Sequence, residues 1–263
     1  MLRPLIAALA FTLPSFGLAQ SCGNDASGFD AWKSAFAQTA AAQGVGQRGL
    51  QALANARYAT DTIQADRNQK SFRLNLEEFM ELRGSATIVR QGRRARQRDA
   101  AFYDALERLY GVPAGVIIAI HGMETGFGNF MGSSRVVSAI TTLAYDCRRS
   151  DFFVPHAIGA LRLVDQGTIT GDTRGAKHGE LGHTQFLPGN ALRYGVDTNG
   201  DGRLDLYNVS DALGSTANFL RQKGWRPGAG YQEGQPNFAV IQEWNAAGVY
   251  QKAIALMAAD IDR

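Results

Sequence analysis

Val112-Pro113-Ala114-Gly115-Val116-Ile117-Ile118-Ala119-Ile120-His121-Gly122-Met123-Glu124-Thr125-Gly126-Phe127-Gly128 is the stretch on which the reading of this chain turns. Pro113 stands where a helix begins, because its missing N–H is no loss there. Val116, Ile117, Ile120 and Met123 follow at intervals of three and four, so they line one face. Glu124 is four after Ile120 and seven after Ile117 and falls on that same face, in the last turn before Gly126 and Gly128. A carboxylate turned into apolar surroundings is costly unless neutralised or paired. Desolvation raises its pKa, and an acid still protonated near neutral pH can give a proton to a leaving oxygen. The same position also suits a structural Glu bonded to His121 or to a backbone group.

Outward from this segment the chain reads as helices. Phe29, Trp32 and Phe36 recur at helical spacing up to Gly44; Leu50 and Leu53 mark a shorter helix; Phe102, Leu106 and Leu109 stripe another, closed by Gly111. Phe153 to Val164, Ala212 to Lys223 (stopped by Gly224) and Ala246 to Ile261 read the same way. Residues 61–98 are polar and give no clear period, and 167–182 is glycine-rich loop. Phe238-Ala239-Val240-Ile241 suggests a short β pair within 232–244. The class is mainly α.

Met1-Leu2-Arg3, the apolar run to Leu18 and Gly17-Leu18-Ala19 form an export signal with cleavage after Ala19. Pro14 interrupts the run, which is too short for a span of about 20 residues, and Ala19-Gln20-Ser21 is a poor lipid-attachment site ahead of Cys22. Cleavage leaves 244 of 263 residues, enough for a large core, and takes the formal charge from +3 to +2. That excess is no nucleic-acid footprint. Five arginines between Arg90 and Arg98 read as a solvated helix face or, alternatively, as a contact for an anionic polymer. In an oxidising compartment Cys22 and Cys147 argue for a disulfide, contributing roughly 4 kcal/mol in the chain-entropy picture.

Asp197-Thr198-Asn199-Gly200-Asp201-Gly202-Arg203 opens like an EF-hand loop, with side-chain oxygens at positions 1, 3 and 5, glycine at 6 and the Arg203 carbonyl at 7. Asn208 at position 12 replaces a bidentate Glu poorly, whereas Asp211 at position 15 can supply a carboxylate. The alternative is an Asx-rich turn with Asp211 in the first turn of a helix. His121, His156, His178 and His183 show no metal spacing.

Four blocks in order carry a resemblance. Glu124-Thr125-Gly126-Phe127-Gly128 to Gly132 matches E-T-x-x-G-x-x-x-G. Thr141 to Tyr145 precedes Arg148-Arg149 and Phe152-Phe153. Gly179 to Pro188 matches G-A-M-G-x-x-Q-F-M-P, and Trp244-Asn245 with Tyr250 matches Y-N-x-S-x-x-Y in part. Over roughly residues 100–250 the chain resembles the membrane-bound lytic transglycosylase B family.

The resemblance implies a lysozyme-like helical core with an additional helical lobe and a small, trimmed β-region. It divides the chain into residues 20–98 as an N-terminal helical segment, 99–225 as the catalytic core with its loop 197–211, and 226–263 as a short β-region and last helix. It implies a periplasmic monomer acting on peptidoglycan glycan strands, with room for cell-wall-remodelling protein partners. It makes Glu124 the single acid/base of a reaction that closes 1,6-anhydromuramoyl ends. Gln185 and Asn245 would bond the sugars, Arg149 would face a substrate carboxylate, Tyr250 would sit beside Glu124, and Phe127 would wall the site. A structural Ca2+ or Na+ would sit on Asp197, Asn199, Asp201, Arg203 and Asp211, since the family's metal loop is the fifteen-residue kind; no organic cofactor is implied. Departures are Glu180 for Ala, Trp244 for Tyr, Ala247 for Ser and Phe219 for a common Tyr. Glu180, or Asp146, leaves open a muramidase that uses water. A silent wall-binding scaffold and a calcium sensor complete the alternatives.

Overall fold

The computed structural model describes residues 22–68 and 74–263. In chain order it has α1 (Phe29–Ala42), α2 (Gln47–Ala54), α3 (Thr60–Arg67), α4 (Leu76–Leu82), α5 (Ser85–Arg98), α6 (Ala100–Tyr110) and α7 (Ala114–Thr125). A two-residue strand β1 (Ser134–Arg135) leads into α8 (Val136–Tyr145) and α9 (Ser150–Gln166). Then come β2 (Arg174–Gly175), α10 (Pro188–Tyr194), α11 (Val209–Gln222), α12 (Phe238–Trp244) and α13 (Gly248–Asp262). The expected export signal, with its cut after Ala19, lies outside the described residues. Among these residues no helix is long and apolar enough to cross a membrane.

Every residue of α7 except Glu124 is buried. A helix apolar on all sides belongs at the centre of a domain, and α5, α6, α11 and α13 surround this one. Its start is held by Asp262, whose Oδ1 accepts from the Gly115 backbone N at 2.7 Å. Gly115 is needed there: a Cβ would lie 2.3 Å from the Ala258 carbonyl of α13. Gly126, at φ 56°, ends the helix in the left-handed region that glycine enters without strain.

A second layer packs α9 between α8, α10 and α2. The N-terminal helices join it through rings: Trp32 stacks on Phe36 at 4.6 Å and meets Tyr145 of α8 at 5.7 Å. The expected disulfide is present, joining Cys22 to Cys147 across 125 positions.

The structure corrects the β pair expected at 238–241. These residues form α12, with Val240 and Ile241 buried. Trp244 falls four and three positions after them, which is helical spacing, and packing of that face outweighs the strand preference of a Val-Ile pair. The β structure lies elsewhere, as β1 pairing antiparallel with β2. Among the described residues, the polar stretch 61–98 contributes three helices, α4 beginning on a capping box between Asn75 and Glu78.

Candidate active site

Glu124 opens from the end of α7 into a groove of about 670 Å³ and is otherwise enclosed by protein. Two donors converge on one of its oxygens. Tyr250 Oη donates to Oε1 at 2.6 Å, and Trp244 Nε1 donates to the same atom at 3.1 Å. Oε2 has no partner among the described residues. Burial pushes the Glu124 carboxyl above the ordinary range for a glutamate. The two hydrogen bonds and Arg83 oppose that rise, while the neighbouring charge of Glu180 adds to it. The Tyr250 hydroxyl is pushed far upward, chiefly by burial, so it stays a donor. Trp244 is fixed edge-on by Phe186 at 5.0 Å and Phe219 at 5.1 Å.

The opposite wall is a tight turn in which Leu181 and Phe186 exchange backbone hydrogen bonds. Gln185 sits in it at φ 56°, a strained conformation for a residue with a side chain. Its Nε2 donates to the Gly182 carbonyl at 2.7 Å, which leaves Oε1 without a partner among the described residues. Asn245 lines the groove with Oδ1 accepting from Ala247 N at 3.0 Å and its amide Nδ2 unpartnered. An acceptor and a donor are thus offered near one acid whose other oxygen is clamped.

A profile of the Transglycosylase SLT domain matches residues 28–235. The chain belongs to this transglycosylase family. The membrane-bound lytic murein transglycosylase B of Escherichia coli (strain K12) is 36% identical over 132 residues, 48% of this chain and 37% of that protein. The chain thus spans little more than a third of that curated relative. The crystal structure of SltB3 from Pseudomonas aeruginosa in complex with NAG-anhNAM-pentapeptide matches with a TM-score of 0.79 at 27% identity, over 88% of this chain and 78% of that one. The Escherichia coli lytic transglycosylase Slt35 in complex with calcium shares the fold, with a TM-score of 0.75 at 20% identity over 95% and 98%. The lysozyme-like helical class expected from the four blocks is therefore the fold of this family member.

Other expected site residues are placed less simply. Arg149 lines the groove, but its guanidinium and that of Arg148 both pair with Asp66, a buried residue of α3. The Arg149 guanidinium also lies 4.9 Å over Phe153. Phe127, expected in the wall, lines a different cavity, one that His121 also borders. Asp146, a candidate helper, is buried outside the groove and pairs with Arg67 at 2.7 Å. Glu180 does line the groove, held by the His178 backbone N at 2.9 Å and facing His178 Nδ1 at 3.1 Å.

In the loop 197–211, Asp197 accepts from three backbone N–H groups, those of Gly200, Asp201 and Gly202. Asp211 is fully buried and accepts from Thr198 and Asn199 through Oδ1 and from Asp205 through Oδ2. Among the described residues no cation pairs with Asp211, and no three His, Cys, Asp or Glu side chains gather as a metal cluster. The donors of the loop are all oxygens, a set that suits a hard cation.

Arg83 and Asp66 were not singled out from the sequence, and Phe152 stood only as part of a matched block. Asn75-x-x-Glu78 could have revealed α4, which carries the chain to Arg83. Asp66 had no local signal, since its partners are more than eighty residues away.

Proposed function

We propose that this protein is a periplasmic lytic transglycosylase that cuts the β-1,4 bond between N-acetylmuramic acid and N-acetylglucosamine in peptidoglycan. Glu124 serves as both acid and base. The observation that carries this reading is a carboxyl with one oxygen held by two donors, the other open to the groove, and a raised pKa. Oε2 delivers its proton to the leaving O4 while the bond from C1 to O4 breaks, its electrons going to O4. The muramoyl 6-hydroxyl then returns a proton to Glu124 as its oxygen bonds to C1, leaving a 1,6-anhydro ring with no water consumed. The free oxygen of Gln185 and the free amide of Asn245 suit an acetamido group, which offers one N–H and one carbonyl. Tyr250 and Trp244 orient the acid.

Mass spectrometry of muropeptides released from purified sacculi tests this. The expected products end in 1,6-anhydromuramic acid and fall by at least about a hundredfold with Glu124→Gln. Products heavier by one water would replace this reading with hydrolysis, for which Glu180, in the same groove, is the available base.

In the loop 197–211, Asp197, Asn199, Asp201, the Arg203 carbonyl and Asp211 would hold Ca2+ or Na+. Such an ion would neutralise the buried Asp211 and brace the entry to α11. Thermal melts in calcium, in sodium with EGTA, and with Asp197→Asn identify it. Calcium should raise Tm in the parent and not in the variant.

A further inference from the structure

The arginine-rich segment of α5 is not absorbed by the glycan groove. Its members divide. Arg93 donates to the Asp260 carbonyl at 2.7 Å and Arg96 pairs with Asp104 at 2.6 Å, so both are tied to the protein. Arg94 and Arg98, four residues apart and hence on one face, border a separate cavity of about 750 Å³. None of its lining residues belongs to the Glu124 groove. Arg98 is neutralised by Asp99 at 2.6 Å. Arg94 has no partner among the described residues. The cavity therefore presents one unspent guanidinium at its rim.

Behind that rim the lining is mostly carbon. Phe102, Phe127 and Leu213 converge from α6, the turn after α7 and the first turns of α11, and Val209 stays exposed at the edge. At the back, His121 Nε2 lies 3.0 Å from His183 Nδ1. Volumes of roughly 300–1,000 Å³ with apolar walls and few polar anchors are those of small-molecule sites. The apolar part of the wall suits a hydrocarbon body, and a cation would meet Arg94.

We propose that this cavity binds an anionic amphiphile, an apolar body ending in a carboxylate or phosphate, with the head group on Arg94 and the body against Phe102, Phe127 and Leu213. The site touches the two segments that form the catalytic groove, through His121 on α7 and His183 in the Gln185 turn. The proposal does not rest on the cleavage reading, and either can fail alone.

Isothermal titration of the mature protein with decanoate, decyl phosphate and uncharged decanol, all below micellar concentrations, tests it. Saturable binding of at least one anion is expected, and the preferred anion tells carboxylate from phosphate. Arg94→Ala should weaken it roughly tenfold or more while its melting curve stays that of the parent, and Glu124→Gln should bind as the parent does. Decanol binding as tightly as the anions, equal binding by Arg94→Ala, loss of binding in Glu124→Gln, or no saturable binding at all would each overturn the proposal.

Discussion

The two cavities that border the end of α7 hold an acid and a base under the same physical force, with different outcomes. Glu124 and His121 are three residues apart on one helix, and burial disfavours the charged form of each. The acid is pushed up and the base down, His121 to about 3. Both are therefore held towards neutrality, and they differ in what they touch. His121 spends its Nε2 on His183, and Thr125 ties the helix end to the same loop by donating to the His183 carbonyl at 2.6 Å. Glu124 keeps one oxygen open to the groove. Desolvation favours the neutral form of both, and the hydrogen bonds decide which atoms each side chain presents.

The comparison can be broken most sharply through acid stability. Because the folded value of His121 lies far below its ordinary 6.5, the unfolded chain takes up a proton that the folded one refuses, and stability is lost as pH falls from about 6.5 towards about 3. The loss should reach about 2 kcal/mol by pH 5 from this residue, at about 1.4 kcal/mol per pH unit. Urea unfolding of His121→Phe across pH 4–7 should show that slope reduced by about one proton, at the cost of stability near pH 7 from leaving His183 unpartnered. An unchanged slope would mean that His121 titrates normally.

A smaller effect is expected at the clamp. Tyr250→Phe removes a donor that favours the ionised carboxylate, so the Glu124 pKa should rise further. The alkaline limb of kcat, where the acid loses its proton, should move to higher pH. The accompanying fall in kcat should be roughly tenfold, the effect of one lost hydrogen bond to a charged group. A limb moving to lower pH would contradict the clamp.

The smallest effect separates stability from function. The raised pKa of Glu124 means that the folded state binds its proton more tightly than the unfolded one. Its stabilising share is present at low pH and is lost as pH rises through the folded value. Glu124→Gln removes that dependence, so it should stabilise the protein more at pH 8 than at pH 4, while activity is lost. Calorimetry at the two pH values checks the sign, which is opposite to that of His121.

Much of the site was legible because its signals are local. The spacing from Val116 to Met123 placed Glu124 on a helix, and the residues around Gln185 and Tyr250 stood in recognisable blocks. Cys22 and Cys147 could be paired because two cysteines in a chain expected to be exported have few alternatives. Other features were hidden by competition between local preference and packing. Val240-Ile241 favours a strand in isolation, yet its burial with Trp244 one turn later makes α12, and only that helix brings the indole to Glu124. Residues 61–98 concealed α3 to α5 because their exposed faces are polar and their buried sides narrow: Ile63 in α3, Phe79 in α4, and Ile88 with Ala95 in α5.

The sequence by itself determined the helical class, the acid and its burial, since period and composition act between near neighbours. Tertiary structure alone decided which atoms of that acid are free, because Tyr250 and Trp244 arrive from more than a hundred residues away. It also decided that Arg149 pairs with Asp66 and that Phe127 lines a separate cavity. Hydrogen bonding is short-ranged in space and indifferent to separation along the chain, so such assignments exist only once the helices have packed.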